Sequence, residues 1–234
     1  MGACQYLENL VAQIDSPQLD QMYISYSNQP GDVPVAQLSK FVNRSVGPRL
    51  TLFRHARVCF FGLFISFTTH HHTDPSNWLW RLNSTKTVIT FEGVQWRFSD
   101  IVQALGRFSV AATLSNVVHL KLEAKPRGSL NNFHQLLVED MGDAEWLRLL
   151  HPFSSVQTLH VSQRLAGYVA LALEDIAEEM VTEVLPSLDL IYLEDQQASS
   201  IDKFVAARRL SGHPVTVVDT KTEFYERISS FVSD

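Results

Sequence analysis

One spacing recurs along this chain: an apolar residue, two residues of any kind, an apolar residue, one of any kind, and a third apolar residue. It reads Leu19-x-x-Met22-x-Ile24, Phe60-x-x-Leu63-x-Ile65 and Val117-x-x-Leu120-x-Leu122. It returns as Val156-x-x-Leu159-x-Val161 and Leu188-x-x-Ile191-x-Leu193. A weaker copy, Lys86-x-x-Ile89-x-Phe91, starts with a lysine. The last two apolar positions lie two residues apart, the period of a strand that buries one face.

Such a phrase is the strand half of a leucine-rich-repeat-like unit. Its second apolar position falls at residues 22, 63, 89, 120, 159 and 191, so successive gaps are 41, 26, 31, 39 and 32. Regular units of this kind run at about 20–29 residues. The longer gaps leave room for a strand, a loop and a helix of two to four turns. A strand, a helix and a second parallel strand make a βαβ unit, whose crossover has one preferred hand. The expected fold class is therefore α/β. We expect a leucine-rich-repeat-like solenoid, or horseshoe, with a parallel sheet on the concave side and helices outside. Residues 1–234 form one irregular domain in this reading.

Helical patterning fills the gaps. Residues 35–42, 130–138, 144–150, 164–179, 202–210 and 222–232 carry apolar residues at helical spacing, and another helix begins at Ser99 as N-cap. Pro152 stops the helix at 144–150, and Ser211-Gly212-His213-Pro214 stops the one at 202–210. Residues 215–218 read as a last strand. The most apolar window, 58–67, reads as one buried strand, being half the roughly 20 residues a membrane helix needs. Residues 66–85 read as an irregular excursion.

Composition removes several function classes. The formal net charge is −6, which disfavours nucleic-acid binding through clustered Lys and Arg. There are two cysteines, Cys4 and Cys59, too few for a secreted disulfide framework, and residues 1–10 have no secretory pattern. The expected location is cytoplasmic or nuclear, without membrane association. Gly-rich phosphate loops, the G-x-S-x-G elbow and H-E-x-x-H do not occur in the sequence.

The remaining reactive groups favour structural readings. His70-His71-His72 with Asp74 reads as a polar turn, because adjacent side chains on an extended chain diverge. Cys59 reads as an inert core hydrophobe within an apolar run. Glu174 with Glu178, and Asp175 with Glu179, read as a solvated helix face. Lys203, Arg208 and Arg209 read as surface partners for those acids. No catalytic, metal or cofactor site is expected.

The residues between the apolar positions share the opposite face of each strand. They are Gln21, Tyr23 and Ser25; Gly62, Phe64 and Ser66; Val88, Thr90 and Glu92. The later strands supply His119, Lys121 and Glu123; Thr158, His160 and Ser162; Leu190, Tyr192 and Glu194. Aromatic anchors among polar groups suit recognition of a protein partner. The expected contacts are Tyr23, Phe64, His119, Lys121, His160, Tyr192 and Glu194.

From residue 144 onward the wording is more specific. Trp146-Leu-Arg-Leu-Leu-His-Pro-Phe153 precedes Val156-Gln-Thr-Leu-His-Val161. Thr182-Glu-Val-Leu-Pro-Ser-Leu188, Tyr192-Leu-Glu194 and Phe204-Val-Ala-Ala-Arg-Arg-Leu-Ser-Gly-His-Pro-Val215 follow. This resembles the C-terminal part of fungal F-box-domain proteins with degenerate leucine-rich repeats. The resemblance implies a substrate-receptor role in a cullin-type ubiquitin ligase. There the F-box holds the adaptor and the repeats hold the substrate. The first phrase here begins at Leu19, so the expectation is a repeat region lacking the F-box. The family has no shared catalytic residues. Two other readings stay open: an α/β enzyme with an irregular parallel sheet, and a truncated paralogue without retained function. A monotonic strand order favours the solenoid; a reversal with convergent His, Asp and Ser favours the enzyme.

Overall fold

The computed structural model describes residues 21–27, 54–61, 64–70, 86–92, 99–103, 114–124, 142–175, 181–193 and 201–219. The helices expected at 35–42, 130–138 and 222–232 lie outside these residues, as do His71, His72, Asp74, Glu178, Glu179 and Glu194. Eight strands belong to one sheet. They are β1 (Gln21–Ser27), β2 (His55–Phe61), β3 (Phe64–His70) and β4 (Lys86–Glu92), then β5 (His119–Ala124), β6 (Thr158–Val161), β7 (Leu190–Leu193) and β8 (Thr216–Asp219). The helices are α1 (Asp143–Leu150), α2 (Gln163–Asp175) and α3 (Asp202–Leu210). Residues 99–103 are also helical, and Ser99 already lies within that helix.

The strand order is β1-β4-β3-β2-β5-β6-β7-β8. β2, β5, β6, β7 and β8 form a five-stranded parallel block, with helices between successive strands. The chain is thus α/β. From β5 to β8 each strand lies beside the previous one. The N-terminal half breaks this progression. β3 runs antiparallel to both β2 and β4, while β4 pairs in parallel with β1.

Two sequence expectations are corrected here. The phrase Phe60-x-x-Leu63-x-Ile65 is not one strand: Phe60 lies in β2 and Ile65 in β3, whose directions oppose. The window 58–67 is accordingly the close of a hairpin, Phe61 facing Phe64, rather than one buried strand. Apolar spacing cannot separate a strand from the apex of a hairpin whose two arms are both apolar. The excursion expected from residue 66 is still strand as far as His70.

The parallel block shows why the phrase folds as it does. Each of β5, β6 and β7 is preceded by a turn closed by a buried apolar pair. Val117 donates its N–H to the Leu114 carbonyl, Val156 to Phe153 and Leu188 to Leu185, at 3.2, 3.2 and 3.0 Å. The working unit is therefore longer than the phrase: Leu114, Val117, Leu120, Leu122; Phe153, Val156, Leu159, Val161; Leu185, Leu188, Ile191, Leu193. All twelve are at most 3% exposed. Strand starts repeat as well. The carbonyls of Arg54, Val118 and Gln157 each accept two consecutive N–H groups from the next strand, at 2.8–3.1 Å.

The helices cover one side of this block. Trp146, Leu149 and Leu150 of α1 are buried, as are Leu165, Ala166, Val169, Ala170, Ala172 and Leu173 of α2. They join Leu120, Leu122, Leu159 and Val161 in one core, with α2 against α1, β5 and β6. Ser162 makes the β6-to-α2 junction rigid. Its N–H donates to Leu122, its carbonyl accepts from Leu165 and Ala166, and its hydroxyl accepts from the Ala124 N–H. α3 ends in a Schellman motif: His213 N–H to Arg208 O, Gly212 N–H to Arg209 O, with Gly212 at φ +80°.

Arg208 overturns the surface reading of the basic group on α3. It is 1% exposed and donates to the carbonyls of Val181, Pro186 and Leu188. Lys203 does pair with Glu174 across to α2. Among the described residues no helix is long and apolar enough to cross a membrane.

Candidate protein-interaction face

Alternation within the strands puts a second set of side chains on the face away from the helices. On β5, Leu120 and Leu122 are buried in the core, while His119, Lys121 and Glu123 between them are half-buried. β6 and β7 repeat this with His160 and Tyr192. Strand register then aligns these positions across the sheet. One row crosses all eight strands: Tyr23, Val88, Thr68, Arg57, Lys121, His160, Tyr192 and Val218.

Four of the seven residues expected as contacts, Tyr23, Lys121, His160 and Tyr192, fall in this row, and His119 stands two positions before Lys121. Lys121, His160 and Tyr192 occupy adjacent strands. Tyr23, 61% exposed, lies five strand spacings from His160, about 24 Å away. Tyr23 and the β5–β7 group are therefore separate parts of one long face. Phe64 is described as a backbone position of β3, in register with Phe61 and Glu92. Glu194 lies outside the described residues.

β2 supplies neighbours that the sequence reading missed. His55, Arg57 and Cys59 are in register with His119, Lys121 and Glu123. Their signal was available: they alternate with Ala56, Val58 and Phe60, which are core residues. The phrase beginning at Phe60 hid it, because it started the strand at the place where β2 ends. The expectation for Cys59 is corrected in part. The thiol is 3% exposed but belongs to the far face, donating to Glu123 Oε2 at 3.7 Å.

Glu123 is the hub of this patch. Its carboxylate accepts from the Arg57 guanidinium and lies 3.7 Å from Lys121 Nζ. Two ring stacks flank it. His55 and His119 stack at 4.6 Å between centroids and 17° between planes; His160 and Tyr192 stack at 4.2 Å and 22°. Burial pushes the His160 imidazole down to about 3, helped by the charges of Lys121 and His119. His119 is lowered too, by burial and then by Arg54. Both rings are neutral at pH 7, each able to donate one hydrogen bond and accept another.

The arrangement holds cations, neutral imidazoles and a tyrosine in fixed positions on a rigid sheet. Among the described residues no group of three His, Cys, Asp or Glu is placed to hold a metal ion. No family model, curated protein or solved structure matches this chain.

Proposed function

We propose that the chain is a non-enzymatic protein-interaction module built as a helix-backed, leucine-rich-repeat-like solenoid. The far face of its sheet is the binding surface. In this reading it serves as the substrate-recognition region of an F-box-type ubiquitin ligase receptor, as its C-terminal wording suggests, and works in the cytosol or nucleus without nucleic acid. The carrying observation is the row Arg57, Lys121, His160 and Tyr192 on four adjacent strands, continuous in register and opposite the core. Aromatic and basic anchors on a rigid platform lose little entropy on binding. The repeated apolar turn ahead of β5, β6 and β7 supports the solenoid reading.

The test is affinity purification from cell extract with cross-linking, run with the wild-type chain and with Lys121→Glu and Tyr192→Ala. A protein cross-linked to the far face in wild type and lost in both variants is the expected result. Cross-links confined to the helix side, unchanged by the variants, would overturn the assignment of the face.

A further inference from the structure

The partner's chemistry can be read from the charges on β2 and β5. Arg57 and Lys121 face each other across β2 and β5, Arg54 just before β2 adds a third positive charge that acts on His119, and Glu123 brings one negative charge among the described residues. That leaves a local surplus of two in a chain whose net charge is −6. Arg57 and Lys121 are register partners. Like charges directly opposite on paired strands are destabilising, and one carboxylate serves both. The Arg57 Nε is buried and makes no hydrogen bond among the described residues. Arg54, just before β2, is exposed. Two stacked ring pairs, His55–His119 and His160–Tyr192, lie beside these cations.

We propose that this patch docks an acidic segment of a partner protein, with its carboxylates meeting Arg54 and Lys121 and its apolar groups lying on the His160–Tyr192 stack. The proposal rests on the interaction-module reading and names the partner class for that same face. A net charge of −6 disfavours acidic chains over the protein as a whole, so a local positive surplus gives them a preferred place to dock. The neutral imidazoles follow the same logic. Burial, aided by nearby cations, keeps His119 and His160 unprotonated, so they do not add to the surplus charge.

A displayed random-peptide library panned on the immobilised full chain at low salt tests this. Peptides rich in Asp and Glu should be enriched, and their binding should weaken about tenfold or more in Arg54→Glu and Lys121→Glu and in high salt. Near-ultraviolet circular dichroism checks folding; if Lys121→Glu does not fold, the exposed Arg54→Glu still decides. Acidic peptides bound equally by both variants would overturn the site. Enriched peptides without acidic bias, lost in Tyr192→Ala, would overturn the acidic class and leave the interaction module standing. No enrichment at all, or capture of single-stranded nucleic acid in place of peptide, would overturn both.

Discussion

The guanidinium of Arg208 donates to the Leu188 carbonyl at 2.9 Å, tying α3 to the turn that leads into β7. The same group reaches Pro186 O at 3.3 Å and Val181 O at 3.2 Å. Between these acceptors Leu185 holds φ at +51°, a left-handed conformation costly for a branched side chain. Leu185 is fully buried. A buried cation bonded to three carbonyls thus braces a strained turn, and the turn positions the strand that carries Tyr192.

Removing that cation should cost more than a surface charge would. Arg208→Met fills much of the volume but leaves three carbonyls without their donor. We expect a loss of about 3 kcal/mol or more, read as a lower urea midpoint. Arg208→Lys keeps the charge but not the fork, and should recover only part of it. A midpoint within error of wild type for Arg208→Met would show that the bracing is dispensable.

Much of the C-terminal half was legible from spacing alone. Val156, Leu159 and Val161 alternate as a half-buried strand must, and α3 ends at Leu210 because Gly212 can take positive φ there. The sheet's N-terminal half was less legible. Phe60 and Ile65 satisfy the same spacing whether the chain continues or turns back, since the two are register partners across the hairpin. Arg208 was misread for a related reason. Sequence shows that a residue is charged, whereas the carbonyls that satisfy it come from residues 181–188, distant in sequence.

The core should be least tolerant at Trp146. Its indole is fully buried on α1, 5.8 Å from the Phe60 ring and tilted by 53°. Trp146→Ala should cost about 3–5 kcal/mol. A double-mutant cycle with Phe60→Leu should return a coupling of about 0.5–1.5 kcal/mol, as aromatic pairs give. Strict additivity would mean that the ring contact contributes nothing beyond burial.

Lys203 provides the contrasting case. It pairs with Glu174 but its side chain is 79% exposed. Solvent screens such a pair, so Lys203→Ala should move stability by no more than about 0.5 kcal/mol. A loss above 1–2 kcal/mol by urea unfolding would point to a role for α3 in docking onto α2 that the exposure does not suggest.

Acid should destabilise the fold through His160. Its folded pKa is lowered from 6.5 to about 3, chiefly by burial. Between those values the unfolded chain binds a proton that the folded chain refuses. Stability is therefore full above about pH 6.5 and falls with decreasing pH until about 3. From pH 6.5 to 4.5 the loss from this group is about 2–3 kcal/mol. His119 is shifted in the same direction and adds to it. Asp143 is raised by burial and by Asp175, so it acts with the opposite sign. The variant His160→Gln separates the contributions, because it removes only the first. Urea midpoints at pH 7 and 4.5 should converge in His160→Gln relative to wild type. An unchanged difference between the two pH values would mean that His160 is solvated enough to titrate normally, and that the packing around the Tyr192 stack is looser than its geometry indicates.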